Sequence, residues 1–220
     1  MKVGVAGLGV MGRAMARNLA SAGLLAGVWN RTRSRGEAVA EELNVSLADD
    51  PAALARLCEV VITCVSADED LLEVIEALRP GLAAGKVVVD TSTVGVDTAE
   101  TVAERLHEEG VAFLDAPVTG GPEGAEAGTL QIMVGGDPEV LERIQPAMLA
   151  IGSQATHFGP AGYGQRAKAV NQVIIAGTNQ GLYATVRRQP RTLSLRSVLP
   201  SGEVTGPFEV PMTREALLSE

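Results

Sequence analysis

Aromatic side chains are scarce in this chain, with one Trp, two Tyr and three Phe in 220 residues. Hydrophobic residues still make up 46 %, so the core has to be assembled from Ala, Val, Leu and Ile, a composition that suits helices laid on a parallel sheet. Cysteine is nearly absent as well. Cys58 and Cys64 are too far apart for a C-x-x-C motif and are read as reduced, structural thiols, and no metal site is read. Positive charge is in deficit, 18 Lys and Arg against 27 Asp and Glu for a net charge of -9. That balance argues against non-specific binding to nucleic acid or to anionic membranes, and an anionic ligand would need a local basic cluster. Long apolar runs are missing: none approaches the roughly 18 residues of a membrane span, and the N-terminus shows no signal-peptide pattern. The expectation is a cytoplasmic protein without membrane or nucleic-acid partners.

Glycine, by contrast, is placed with economy at the start. Val3-Gly4-Val5-Ala6-Gly7-Leu8-Gly9-Val10-Met11-Gly12 reads as a strand entering a turn, and an alanine-rich helix follows from Met11 to Ala22. In such a G-x-G-x-x-G turn Gly7 permits the tight bend, Gly9 lets backbone amides approach a pyrophosphate, and Gly12 allows close helix–strand packing. The helix N-terminus adds unpaired N–H groups and a partial positive charge. Gly7, Leu8, Gly9, Val10, Met11 and Gly12 are thus candidate contacts for a dinucleotide. A second strand, Leu24–Trp29, ends at Asn30-Arg31-Thr32, where such folds read the adenosine ribose. A carboxylate there would accept from the 2′-hydroxyl of NAD; Arg31, with Arg33 and Arg35 close behind, instead suits the 2′-phosphate of NADP. NADP is the expected cofactor, with NAD possible.

Val60–Val65 and Lys86–Asp90 are continuous apolar runs of the kind that fill strands buried on both faces, separated by a helix over Asp68–Leu78. Ligands lie beyond the carboxyl ends of parallel strands, so Val65, Ser66 and Thr91-Ser92-Thr93 fall on the cofactor side. The hydroxyls of that last segment either bond the nicotinamide portion or cap the helix Val96–Glu109. A strand over 112–116 leads into the segment from Asp115 to Ala125, dense in Gly and Pro, whose exposed amides could hold a carboxylate, with Thr119 adding a hydroxyl. The strand Gln131–Val134, a helix from Pro138 to Leu149 and the strand Ala155–Phe158 follow. His107 reads as solvated and His157 as a packing or backbone partner. A glycine-rich turn, Gly159–Gly164, releases a helix from Gln165 that carries Lys168 and Asn171 on one face. Between Ala167, Ala169 and Val170 the Lys168 ammonium sits among apolar walls, where desolvation lowers its pKa and equips it as an acid or base. Asn171 would orient a substrate hydroxyl or carboxylate.

Together, Gly7–Gly12, Asn30-Arg31-Thr32, Asp90–Thr93, the segment from Asp115 to Leu130 and the run from Gly164 to Gln172 resemble the β-hydroxyacid dehydrogenases, among them 3-hydroxyisobutyrate dehydrogenase and tartronate semialdehyde reductase. The resemblance covers residues 1 to about 182. It implies that Lys168 is the catalytic lysine, that Thr119, Gly120 and Gly121 hold the substrate carboxylate, that Asn171 positions the substrate and that Thr93 touches the cofactor. Thr119 stands where the family usually has serine, and the proline that commonly follows the Asp90–Thr93 motif is absent.

From about Tyr183 the character changes. Prolines at 190, 200, 207 and 211 interrupt any long helix, where the family continues into an all-helical domain that covers the active site and makes a homodimer. The expected architecture is an α/β Rossmann-type, doubly wound, mostly parallel sheet over residues 1–162, an interdomain-type helix over 163–188, and an irregular, poorly ordered tail over 189–220 that reflects a shifted frame, a truncation or a divergent end. Two functions follow. One is an NADP-dependent oxidoreductase interconverting a small 3-hydroxy acid and its semialdehyde or 3-oxo acid. The other is a dinucleotide-binding fragment, inactive or weakly active.

Overall fold

Alternation along the strands decides how the sheet is covered. Successive side chains of a strand point to opposite faces. In β1 (Val3–Ala6), Val3 and Val5 therefore join one core while Ala6 joins another; Val60 and Ile62 of β4 (Val60–Thr63) part from Val61 in the same way, and Val87 and Val89 of β5 (Val87–Asp90) from Val88. The first core takes Met15 and Leu19 from α1 (Val10–Ser21) and Ile144 and Met148 from α7 (Pro138–Ile151). The second takes Leu54 from α3 (Pro51–Leu57), Leu71 and Ile75 from α4 (Asp68–Leu78) and Leu106 from α5 (Val96–Glu108). Fully burying each such side chain is worth about 1.5–3 kcal/mol, which is how a core nearly free of rings holds together.

This computed structural model describes residues 1–188, 192–195 and 208–211. The chain divides into two units, Met1–Ala169 and Val170–Glu220. The remaining elements of the first unit are β2 (Leu25–Trp29), α2 (Arg33–Leu43), β3 (Ser46–Leu47), β6 (Ala112–Asp115), β7 (Val118–Thr119), α6 (Gly121–Ala127), β8 (Leu130–Gly135), β9 (Gly152–Gly159) and the start of α8 (Tyr163–Arg188). The sheet order is β3-β2-β1-β4-β5-β6-β8-β7, with β9 on the free side of β8. Strands β1 to β6 run parallel, β8 is antiparallel to β6 and β7, and β9 is parallel to β8. The order reverses between β1 and β4, and a crevice opens at such a switch point beyond the carboxyl ends of the strands.

The expected α/β doubly wound sheet and long helix are present. The Gly- and Pro-rich segment after Asp115 departs from expectation: it is not a plain loop but holds β7 and α6. Gly120 and Gly121 take φ of +128° and +66°, and Pro122 then lies in the first turn of α6, where its missing N–H is not needed.

The second unit holds most of α8 and a pair of antiparallel strands, β10 (Thr192–Leu195) and β11 (Phe208–Pro211). That pairing falls within the stretch expected to be an irregular tail; the expectation for 189–191, 196–207 and 212–220 lies outside the described residues. Val170, Val173 and Ile174 are exposed. No helix among the described residues is long and apolar enough to cross a membrane.

Candidate active site

The opening turn is built as the three glycines require. Gly7 has φ +97°, and a Cβ there would run into the Cys64 carbonyl. A Cβ on Gly12 would strike the Gly7 carbonyl, so α1 lies against the turn only because residue 12 has none. Gly9 is different: an added Cβ would meet nothing within 4 Å, so the space in front of its backbone is open. Gly9 is also the N-cap of α1, with no side-chain cap and no acidic residue in the first turn. By contrast α3 and α7 are capped by Asp50, which accepts from Ala53 N at 2.6 Å, and Asp137, which accepts from Glu139 N at 2.8 Å. An uncapped helix start facing open space suits a phosphate, and the cradle fits a dinucleotide pyrophosphate.

Of the expected cofactor residues, Gly7, Leu8, Gly9, Asn30, Arg31, Thr32, Val65 and Ser66 line one cleft of about 270 Å³. Val10, Met11, Gly12 and Thr93 are outside its lining. Val10 is exposed at the start of α1, Met11 packs against the core, and Gly12 acts by its packing. Leu8 is buried, and its amide donates to Asn30 Oδ1 at 2.8 Å, while Asn30 Nδ2 donates to the Thr32 carbonyl at 2.9 Å. Asn30 thus ties the glycine turn to the end of β2. Arg31 is not idle: its Nη1 lies 2.7 Å from Asp70 Oδ1 and 3.8 Å from Glu73 Oε2, both of α4, and both carboxylates line the same cleft. A larger groove of about 600 Å³, lined in part by Phe113, Val140 and both histidines, contains none of the expected site residues, and His157 Nε2 there is 2.8 Å from the Gly136 carbonyl.

The hydroxyls of Thr91 and Ser92 turn inward, so neither of the two roles expected of them, a bond to the nicotinamide or a cap on the following helix, is filled; that helix is capped at Gly95 without a side chain. Thr91 Oγ1 donates to the Thr63 carbonyl at 2.7 Å; Ser92 Oγ donates to Asp90 Oδ1 at 2.6 Å and accepts from Val65 N at 2.9 Å. Only Thr93 of the three is exposed. Asp90 also accepts from Thr63 Oγ1 at 2.8 Å, while its Oδ2 is buried with no hydrogen-bond partner. Burial pushes its pKa up to about 6 against the pull of those donors, with Asp115 adding to the rise.

Lys168 is 7 % exposed, and its Nζ donates to the Val118 carbonyl at 2.8 Å. Its pKa is lowered, by desolvation. The bond to Val118 places the ammonium beside the strand that continues into Thr119, Gly120 and Gly121. Thr119 is half-buried and Gly120 exposed. Asn171 belongs to the second unit.

Two residues that hold the lysine helix were not foreseen. The turn Gly159–Gly164 offers no Ser, Thr or Asp to cap α8, and the cap comes from β6: Asp115 Oδ1 accepts from Gly162 N at 2.8 Å and Oδ2 from Gln165 N at 2.9 Å. Gln165, also buried, donates through Nε2 to the Ser92 carbonyl at 2.9 Å and accepts at Oε1 from Val94 N at 3.3 Å. The missing local cap was the only sign in the sequence that a distant group must serve.

Residues 2–159 match the family described as the NAD binding domain of 6-phosphogluconate dehydrogenase. The chain belongs to the β-hydroxyacid dehydrogenases. It is 40 % identical over 184 residues to an uncharacterized oxidoreductase of Shewanella frigidimarina, covering 82 % of this chain and 63 % of that protein. Among solved structures, 3-hydroxyisobutyrate dehydrogenase of Mycobacterium tuberculosis with L-serine is similar, with a TM-score of 0.75 and 32 % identity over 80 % of this chain and 60 % of that one. Psf3 in complex with NADP+ and 2-OPP superimposes with a TM-score of 0.72 at 31 % identity, over 81 % of this chain and 68 % of that one. The chain spans less than two thirds of the length of three curated relatives to which it is 36–40 % identical, with 63 %, 61 % and 55 % of them covered.

Proposed function

We propose that the chain binds NADP(H), with NAD(H) as a weaker alternative, and interconverts a small 3-hydroxy acid and its semialdehyde or 3-oxo acid. The bound cofactor would supply the hydride chemistry at its nicotinamide ring. Gly7–Gly12 and the uncapped start of α1 hold the pyrophosphate, Asn30, Arg31 and Thr32 the adenosine end, Val65, Ser66 and Thr93 the remainder. Thr119 and the amides of Gly120 and Gly121 take the substrate carboxylate, and Asn171 orients the substrate. Lys168 gives a proton to the carbonyl oxygen in reduction and removes it from the hydroxyl in oxidation.

The observation that carries this reading is the buried Lys168 ammonium, which donates to the carbonyl of Val118, the residue before Thr119, and whose pKa is lowered by desolvation. Lys168→Ala should lower turnover by about two orders of magnitude or more, with NADPH affinity nearly unchanged. Unchanged turnover would remove the lysine from the mechanism. A second reading, a dinucleotide-binding fragment that turns over little, is supported by the exposed apolar side chains Val170, Val173 and Ile174. NADPH that binds yet is not oxidised by any of a panel of semialdehydes would select it.

A further inference from the structure

Arg31 is the residue of this cleft best suited to a 2′-phosphate, yet its guanidinium is already claimed. Nη1 sits 2.7 Å from Asp70 Oδ1 with Glu73 Oε2 at 3.8 Å. The neighbouring arginines differ. Arg33 is drawn away from the cleft by Glu37 and Asp49, at 3.1 and 3.2 Å, whereas Arg35 lines the cleft and forms no ion pair with any described residue. The adenosine end of the cleft therefore carries two arginines, 31 and 35, against two carboxylates, 70 and 73, and its local charge is near balance. Asp70 is the better placed of the two acids, its side chain 25 % exposed against 71 % for Glu73.

We propose that Asp70 sets the cofactor preference of this cleft by competing with the ribose 2′-phosphate for Arg31, an inference that rests on the dinucleotide reading given above. To be read by Arg31, a 2′-phosphate must either displace Asp70 or take the N–H donors that Nη1 leaves over, and in both cases it lies close to a carboxylate of its own sign. An unmodified 2′-hydroxyl meets no such competition; it carries no charge, and Asp70 and Glu73 are acceptors for it. Asp70 thus restrains the preference for the phosphorylated cofactor that Arg31 and Arg35 would otherwise impose. The carboxylate that an NAD-binding fold usually takes from the end of β2 is in this chain supplied from the first turn of α4, where the helix dipole also favours it.

The test is direct binding, followed by cofactor fluorescence at low ionic strength, of NADPH and NADH to the wild-type chain and to Asp70→Asn. The substitution keeps the size of a partly buried side chain, and far-ultraviolet circular dichroism verifies that the variant is folded. Removing one like charge beside a phosphate should tighten NADPH binding by roughly three- to tenfold, while NADH, whose 2′-hydroxyl exchanges a charged acceptor for a neutral one, should bind no more tightly. Adenosine 2′,5′-bisphosphate as a competitor should gain by the same factor, and adenosine 5′-monophosphate should not. An equal shift for both cofactors, no shift, or weaker NADPH binding overturns the proposal and leaves the dinucleotide site standing. Failure of the wild-type chain to bind either cofactor overturns the reading beneath it as well.

Discussion

Gln165 and Ser92, 73 residues apart in sequence, are joined by a 2.9 Å bond from Nε2 to the Ser92 carbonyl, and the same side chain accepts from Val94 N. Thr93 is thereby held from both sides by a residue one turn ahead of Lys168 on the same helix. The segment expected to touch the cofactor and the lysine expected to move the proton are positioned by one amide. Gln165→Leu keeps the bulk but leaves the Ser92 carbonyl and Val94 N–H buried without partners. Unfolding in urea should show a loss of about 2–4 kcal/mol, and an unchanged midpoint would mean that these bonds contribute nothing.

Gly9 and Gly12 should respond to alanine in opposite ways. Gly9 has φ -67° and open space where a Cβ would go, so Gly9→Ala should fold with stability within about 0.5 kcal/mol of wild type. Its NADPH affinity should fall by about tenfold or more, because the methyl fills the place of the pyrophosphate. Gly12→Ala drives a methyl into the Gly7 carbonyl and should destabilise the chain by about 1–3 kcal/mol. Thermal melts and cofactor titrations of the pair separate the two roles.

Lys168 gives the proposed reaction a sign in pH. Reduction needs the ammonium, so its rate should fall as pH climbs through a pKa lying below the ordinary 10.5; oxidation needs the free amine and should rise through the same window. Lys168→Arg, charged throughout, should abolish that limb in both directions. Profiles of kcat against pH for the two enzymes make the comparison.

Asp90 makes a separate prediction about stability. Its folded pKa of about 6 lies above the ordinary 3.8, so the folded chain holds this proton more tightly than the unfolded chain does. The resulting stabilisation is complete below pH 3.8 and is lost as pH rises to about 6; Asp115, also shifted upward by burial, acts in the same direction. The difference in unfolding free energy between wild type and Asp90→Asn should move against wild type by about 1–3 kcal/mol across that window. A flat difference would mean that Asp90 titrates normally.

Short-range patterns carried most of the fold. The valine runs of β4 and β5, the glycine spacing before α1 and the helix over Asp68–Leu78 were all legible, because each is a property of neighbours in sequence. The burial of Lys168 was legible from the alanines beside it. What escaped depended on distance or on glycine. The segment Gly121–Ala127 hid a helix behind two left-handed glycines, and the hydroxyls of Thr91 and Ser92, expected either to face a nicotinamide or to cap a helix, were instead claimed by Thr63 and Asp90. Asp115 capping α8 across 47 and 50 residues, and Asp70 reaching Arg31 across 39, are contacts that no local window displays.

Asn30 has a practical bearing on redesign. Because its amide oxygen accepts from Leu8 N, a substitution at residue 30 disturbs the anchoring of both ends of the nucleotide together and would be mistaken for a change in cofactor choice. Arg31 and Arg35 make no such bond to the glycine turn, so under the function proposed above those two positions, with Asp70, are the ones at which retuning between phosphorylated and plain dinucleotides should leave the grip on the diphosphate as it is.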